Sequence, residues 1–547
     1  MTVWEPSGAT AAVPSTLEAT KRESRLLRGS IGDELTAVDT PFGEASAQLL
    51  KFHGIYQQDD RDLRRGGTRT HILMVRAALP GGRLSGEQYL VADQLADLVG
   101  DGTLRITSRQ GLQWHHVGKV DLPALIWTLN QSLVTTFGAC GDVVRNVVAC
   151  PDPAAPAELG EVAAQLAKRF RPRTSAYWEL WVDGERAVSA EEPEDEPIYG
   201  ATYLPRKFKI GIAAPGDNCV DLLTHDLGLV PTDDGWVVTV GGGQGKSHNR
   251  PDTYPRLADP LATVSTEEIG EVAEAVVTVQ RDWGDRSDRK RARLKYLIDA
   301  WGVDRFRTAV EERLGRELAA PKPVRWDAHS DHLGWGAAED GTTQVGVAVE
   351  SGRIGGRLRG ALAEVIDEFR PDVRFTPQQN VILSALDPTH RDEIRGLLGE
   401  TKRDLTSLAM ACVALPTCGL ALTDAERALP QVTTDLASVL DRLGLAETAV
   451  TVRMTGCPNG CARPYTAEVG LVGRRTGRYD IHLGGAADGT RLGEPVFEMV
   501  AATDIAGTLQ PLLASWRQTA YDESFGDFCH RLGTEELIHL GSVGEVA

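Results

Sequence analysis

Four of the chain's eight cysteines fall within fifty residues, as Cys412-x5-Cys418 and Cys457-x3-Cys461 with 38 residues between the pairs. The other four, Cys140, Cys150, Cys219 and Cys529, are scattered. Such a quartet of thiolates suits zinc or an iron–sulfur cluster. Structural zinc favours tight C-x2–4-C knuckles, from which the x5 spacing departs. The second pair lies in Thr455-Gly456-Cys457-Pro458-Asn459-Gly460-Cys461. Gly, Pro and Asn allow unusual backbone angles there, so amide N–H groups can point at sulfur and stabilise a negative cluster. Spacing alone leaves both metals open. Four unrelated buried thiols explain so compact a grouping poorly.

A second chemistry lies in cations beside apolar strand residues. If Leu104–His116 pairs without a break, alternation places Arg105, Thr107, Arg109, Gln113 and His115 on one face, with Leu104, Ile106, Leu112 and Trp114 on the other. In Tyr203–Ile210, Lys207 and Lys209 point one way, and Phe208 and Ile210 the other. Arg76 and Arg145 add cations beside further apolar runs. Each segment alone reads as a solvated strand face. Several of them in a chain of net charge −19 point to a concentrated, multiply anionic ligand. Gly241-Gly242-Gly243-Gln244-Gly245-Lys246-Ser247 imitates a phosphate-binding loop, but Val240 stands where that loop needs its first glycine. A nucleotide site is not expected; a glycine-rich backbone beside a large flat ligand is.

The elements that must hold these residues come twice. Ile72–Ala78 reads as a strand ending in the turn Pro80-Gly81-Gly82. Ser85 and Gln88 form a capping box, and Val91, Leu95, Leu98 and Val99 follow at helical spacing. A second strand is expected from Leu104, and Asp121 with Pro123 announces another helix. About 270 residues later, Gly352-Arg353-Ile354-Gly355-Gly356 answers Gly82-Arg83-Leu84-Ser85-Gly86, and Val373–Gln379 answers Leu104–Gln110. Cys219 with Gly228-Leu229-Val230 is offset by 242 from Cys461 with Gly470-Leu471-Val472, and the Gly-Gly turns at Gly241 and Gly484 keep step within one residue. This pattern implies a duplicated two-part αβ unit with a pseudo-twofold axis and a site between the halves. The copies differ in charge: Arg109 corresponds to Gln378.

With 547 residues, 42% hydrophobic and 25% charged, the chain has the composition of a multi-domain globular protein of three to five domains. The acidic balance argues against nucleic acid and anionic membrane as partners. No apolar run is long enough for a membrane span, and Met1–Ser15 lacks the marks of a secretory signal. A cytoplasmic protein is expected, with its cysteines serving metal or redox chemistry rather than disulfides. The terminus up to Ser15 and the acidic run Glu191–Pro197 read as a frayed end and a solvated loop.

Together these segments resemble the siroheme- and 4Fe-4S-containing sulfite and nitrite reductases, from about Glu23 onward. Lys51-Phe52-His53-Gly54-Ile55-Tyr56-Gln57-Gln58-Asp59-Asp60-Arg61-Asp62 is similar to the N-terminal arm of the family's hemoproteins. Thr455–Arg463 is similar to its cluster signature, and Phe525-Gly526-Asp527-Phe528 to its C-terminal end. The resemblance implies an α+β fold of duplicated sulfite/nitrite reductase modules with pseudo-twofold symmetry, its cofactors at the interface of three domains. It implies an arm at 1–68, paired ferredoxin-like half-domains at 69–138 and 339–404, a first siroheme-binding domain at 139–338, and a second domain at 405–547 that carries the cluster cysteines.

Residue by residue, the resemblance assigns Cys412, Cys418, Cys457 and Cys461 to the cluster, with Cys461 also bridging to the siroheme iron. Arg76, Arg145, Lys207 and Lys209 would hold the anionic substrate. Arg105, Arg109, Gln113, His115, Arg206 and Asn459 would contact the siroheme or support that pocket. The implied activity is assimilatory, six-electron reduction of sulfite to sulfide, with electrons from a partner, a ferredoxin or a separate flavoprotein reductase. Nitrite reduction is the alternative; the family's nitrite enzymes tend to carry asparagine where Lys209 stands, which favours sulfite. A zinc-organised binding protein is the more distant reading. Cys140, five residues before Arg145, is expected to be plainly buried rather than covalently linked to a tyrosine such as Tyr56.

Overall fold

The computed structural model describes residues 13–37, 40–172, 180–182, 185–188, 196–338, 340–519 and 523–543. The terminus up to 12 and most of the acidic run lie outside them. Glu196, at the end of that run, is buried rather than solvated.

Two pairs of five-stranded sheets carry the site. In the first pair, one sheet runs Ile55–Asp59, His71–Arg76, Leu112–Val117, Leu104–Ile106, Arg353–Ile354, and the other runs Gly334–Ala337, Thr343–Val347, Val381–Leu386, Asp372–Phe375, Arg83–Leu84. Each sheet therefore takes its last strand from the other half: Arg353 pairs with Arg105, and Arg83 with Arg374. The exchange rests on matching turns. A Cβ on Gly82 (φ +71°) would meet the Phe375 carbonyl at 2.3 Å, and one on Gly352 (φ +73°) the Ile106 carbonyl at 2.4 Å. Only glycine fits either position. Side chains from both halves make one continuous core, Val75, Trp114 and Ile106 packing with Val347, Phe375 and Leu383.

The capping box at Ser85 and Gln88 opens the helix Gly86–Val99 as its residues dictate. Its buried face differs from the expectation: Tyr89, Ala92, Leu95 and Ala96 turn inward, while Leu98 is exposed. The helix lies beside its counterpart Gly356–Phe369, from which Arg359 reaches across to Asp93 and Asp97 at 2.6 Å each.

The second pair of sheets repeats one topology. Val148–Ala149, Ile210–Ile212, Leu227–Thr232, Gly235–Val240 and Asp259–Val264 stand in the same order and direction as Met410–Ala411, Val452–Thr455, Val469–Arg475, Arg478–Leu483 and Glu494–Ala501. The likeness reaches single hydrogen bonds. The Lys209 N–H donates to Asp226 and the Thr451 N–H to Glu468, both pairs offset by 242. Among the described residues no helix is long and apolar enough to cross a membrane.

Candidate functional site

Each of the four cysteines at 412–461 sits where a strand of the last module ends. Cys412 follows Met410–Ala411, and Cys457 and Cys461 lie in the loop after Val452–Thr455. The four are mutual electrostatic neighbours. Burial pushes the Cys412 thiol well up, and Cys461, Cys418 and Cys457 push it further. Burial likewise raises Cys457 to about 12, with Cys461 adding to it. Thiols held protonated in this way give up the proton to a metal.

No three of these sulfurs gather within 4.8 Å. One tetrahedral zinc, at about 2.3 Å per sulfur, would draw them to roughly 3.8 Å of one another. Among the described residues the one set of three or more His, Cys, Asp or Glu ligand atoms gathered within 4.8 Å lies elsewhere. The quartet therefore fits a polynuclear cluster better than a single ion. Its electrostatics agree: the Gly456 N–H donates to Cys412 Sγ at 3.3 Å and the Asn459 side-chain amide to Cys457 Sγ at 3.5 Å.

The run expected as one strand at Leu104–His116 is a hairpin. Leu104–Ile106 and Leu112–Val117 pair antiparallel, and Thr107–Gly111 makes the turn, closed by the Thr107 N–H to the Gly111 carbonyl. The parity still holds for Arg105 and Gln113, because they are cross-strand partners. Arg76 pairs with Gln113 and Arg353 with Arg105, so Arg76, Gln113, Arg105 and Arg353 form one row across the sheet. The corresponding row in the other half is Gly346, Ile382, Arg374 and Arg83, without the first cation or the amide.

Arg109 leaves the strand and works from the turn, donating to the Asn146 and Ile210 carbonyls and keeping Nε without a partner among the described residues. The same turn touches the cysteine loop, Ser108 Oγ donating to the Cys461 carbonyl at 2.8 Å.

Cations crowd on the side that Cys461 faces. Lys207 and Lys209 both feel the Cys461 sulfur. Burial, then Arg145, Arg206 and Arg293, lowers Lys207 to about 7; burial, then Lys207 and Arg109, lowers Lys209 well below the usual lysine range. Cys461 is the one exposed member of the quartet. Arg145 is held by the Gly141 carbonyl and the Tyr56 hydroxyl. Arg206 lies 3.7 Å from Asp142, which Arg289 holds at 2.7 Å.

Arg76 donates to Cys140 Sγ at 3.0 Å and lies over the Tyr56 ring; in the amide orientation that satisfies both groups, Gln113 accepts from it at 2.7 Å. Cys140 is fully buried and hydrogen-bonded to the Tyr56 hydroxyl.

Arg105 and His115 stand apart from this crowd. Arg105 donates to Glu426 and to the Ala411 carbonyl, and Arg353 shares Glu426 at 2.7 Å. His115, kept neutral chiefly by burial, lines a cavity of about 230 Å³ with Arg353, Glu426, Pro416 and Thr417.

Several contributors carry no local signal in the sequence. Arg293, in the basic run 290–295, pairs with the buried Asp226 at 2.6 Å. Lys295 is fully buried and donates to the Gly243, Gly245 and Tyr254 carbonyls, so it shapes the glycine-rich loop. That loop packs on the cysteine loop, the Lys246 N–H donating to the Pro458 carbonyl at 3.0 Å. Arg61 of the arm donates to the Cys418 and Ala421 carbonyls. Asp221, fully buried, binds Arg453 at 2.7 Å, Arg463 at 2.9 Å and His329 at 3.0 Å.

Residues 161–318 match the model of the nitrite and sulphite reductase 4Fe-4S domain, and residues 64–132 and 337–401 that of the nitrite/sulfite reductase ferredoxin-like half domain. The first of these spans the copy that carries Lys207 and Lys209, not the copy with the cysteine quartet. The chain is 45% identical to the sulfite reductase (NADPH) hemoprotein beta-component of Methylobacterium nodulans, over 97% of its own length and 92% of the relative's. It is 42% identical to the sulfite reductase (ferredoxin) of Synechococcus elongatus, over 96% and 90%. Its fold matches the structure of the Mycobacterium tuberculosis NirA protein with a TM-score of 0.78 at 23% identity, covering 96% of this chain and 98% of that one.

Proposed function

The chain belongs to the nitrite and sulphite reductase family of oxidoreductases, and from that premise we propose that it reduces sulfite to sulfide in six one-electron steps, as an assimilatory enzyme. One observation carries the reading: the Cys461 sulfur lies among three other thiols and also beside Lys207 and Lys209. A single thiolate can thus belong to a cluster and to the floor of a cationic site.

The residues fit both cofactors. Cys412, Cys418, Cys457 and Cys461 would hold the 4Fe-4S cluster, for the reasons of sulfur spread and amide donation given above. Siroheme is a multiply carboxylated macrocycle and needs buried cationic donors. Arg109, Arg293 and Arg463 each keep a buried Nε without a partner among the described residues, and His115 a buried Nε2. Arg105, Arg109, Gln113, His115, Arg206 and Asn459 would contact or support it. When bound, siroheme supplies the iron that ligates the substrate's sulfur, and the cluster supplies electrons singly.

The chain's own work is electrostatic and protonic. Arg76, Arg145, Lys207 and Lys209 hold the substrate's oxygens and stabilise the charge that develops as each S–O bond breaks. Lys207, lowered toward neutrality, holds a proton at Nζ that it can release at working pH. Arg76 and Arg145 are fixed by Tyr56, Gln113 and Gly141, so little reorganisation accompanies the charge change.

The test is kcat/KM for sulfite and nitrite side by side, on anaerobically purified protein with reduced methyl viologen. A clear preference for sulfite is expected; a preference for nitrite would keep the cofactors and reverse the substrate. Lys209→Asn is expected to lower sulfite turnover more than nitrite turnover, because a bound dianion with three oxygens draws a proton onto Lys209 and gains more from that fourth cation than nitrite does. Equal losses on both substrates would remove that role. The electron donor is a separate protein, a ferredoxin or a flavoprotein reductase.

A further inference from the structure

The duplication that built the cysteine quartet left a second set of ligands at the equivalent place in the first module. Cys150 follows the strand Val148–Ala149 as Cys412 follows Met410–Ala411. Cys219 lies 242 residues before Cys461 and, like it, two residues before a left-handed residue, Asp221 or Arg463, that opens a one-turn helix. Pro215 stands where Cys457 would be, so this copy cannot assemble four sulfurs. Instead, Asp217 and His332 approach the two remaining cysteines. The four ligand atoms lie within 4.8 Å of one another, with both cysteines buried.

We propose that Cys150, Asp217, Cys219 and His332 bind one zinc ion as a structural site, independent of the cofactors of the catalytic centre.

The detail around the four is that of a metal site. His332 Nε2 is buried and makes no well-formed hydrogen bond among the described residues, while the ring interacts with the Cys150 thiol, another member of the set. Nε2 lies 4.0 Å from Asp217 Oδ2. The other ring nitrogen faces the Asp152 carboxylate at 3.7 Å, an ion-pair contact on the side where zinc-bound histidines meet a second-sphere carboxylate.

Asp217 is oriented in the same way. Its Oδ1 accepts the Cys219 and Ser330 amides, each at 3.0 Å, leaving Oδ2 for the metal. Two thiolates, an imidazole and a carboxylate complete a tetrahedron with no open position, the signature of a structural rather than a catalytic zinc. The basic neighbours of the Cys461 site have no match here: Ala449 and Thr451 stand at the positions equivalent to Lys207 and Lys209. Such a site would tie the segment around Trp326–Ala328, which pairs with Gly216–Asp217, to the first module.

The holoenzyme, produced in zinc-supplemented medium, handled anaerobically and passed through EDTA, is analysed for zinc and iron by mass spectrometry. About one zinc per chain is expected beside the iron of the cofactors. His332→Ala and Cys219→Ser are each expected to lower the zinc at least tenfold while the visible bands of the bound cofactors persist, whereas Cys529→Ser, at a buried cysteine elsewhere, keeps it. Zinc-free wild-type protein overturns the proposal, as does a Cys150–Cys219 disulfide in the anaerobic protein or zinc content unchanged in both variants. If both variants fail to fold, wild-type protein grown on cobalt decides. A thiolate-to-cobalt charge-transfer band supports the site, and its absence overturns it. Zinc is measured independently of turnover, so loss of the sulfite reading would leave the result standing.

Discussion

Replacing Asp221 with asparagine is expected to lower the thermal midpoint by roughly 10 °C, corresponding to about 3–5 kcal/mol in a module of this size. The carboxylate is fully buried and lies against two guanidinium groups and an imidazole. Burial pushes its pKa up, but Arg453, Arg463 and His329 outweigh that and hold it well below the usual range. The asparagine keeps the shape and strands two buried cations without a counter-charge, which is the costly way to break such a pair.

The pH dependence follows from the direction of the shift. A carboxylate with a depressed folded pKa contributes its stability above the unfolded value, about 4, and loses it as pH falls through the folded one. The gap between wild type and variant should be constant at neutral pH and close only in strong acid. Asp527→Asn is the control: its bridge to Arg491 is half exposed and is worth at most about 1 kcal/mol. A shift for Asp221→Asn no larger than for Asp527→Asn would mean that the buried pairing carries little of the stability. Asp221 and Arg463 occupy equivalent positions of the two copies, so this bond joins the duplicated modules across their axis. Arg463 is two residues from Cys461, so loosening it should also reduce cluster content, read as iron per chain.

The repeat was legible in the sequence because the features that recur are ones the backbone demands. Gly82 and Gly352 must be glycine where a carbonyl approaches within the space of a Cβ, and the Gly-Leu-Val strand after Cys219 recurs after Cys461. That the four cysteines gather, and that Lys207 and Lys209 share a side, was legible for the same reason, since ligand spacing and residue alternation are local. What was not legible depends on partners far apart in the chain. Arg105 reads as a cation of one strand face, but nothing local to it announces its partner Glu426, 321 positions away. Arg109 reads as one of a strand face, but the hairpin turn at 107–111 re-aims it, because Gly111 closes the loop before a second strand begins. Leu98 follows the helical period and still points outward, since the space above the sheet is filled by Tyr89 and two alanines. Cys150 and Cys219 look isolated until the topology brings His332 across from the linker between the modules.

Lys207 should be the most sensitive side chain of the proposed chemistry. Lys207→Met is expected to lower kcat for sulfite by about 10²–10⁴, the usual range for losing a positioned proton donor. Lys207→Arg separates the two roles of the residue. It keeps the cation that binds the substrate's oxygens, so KM should change little, but a guanidinium does not release its proton near neutral pH, so kcat should fall nearly as far. The wild-type profile carries the sign. The protonated amine is the donor, so turnover falls as pH rises through its pKa. Burial and the neighbouring Arg145, Arg206 and Arg293 bring that value to about 7. Anionic groups bound beside it raise it, so the alkaline limb of the loaded enzyme should lie at or above neutrality and should vanish in Lys207→Arg. Retention of both kcat and the alkaline limb in Lys207→Arg would exclude this lysine as the donor and leave it as one cation among several.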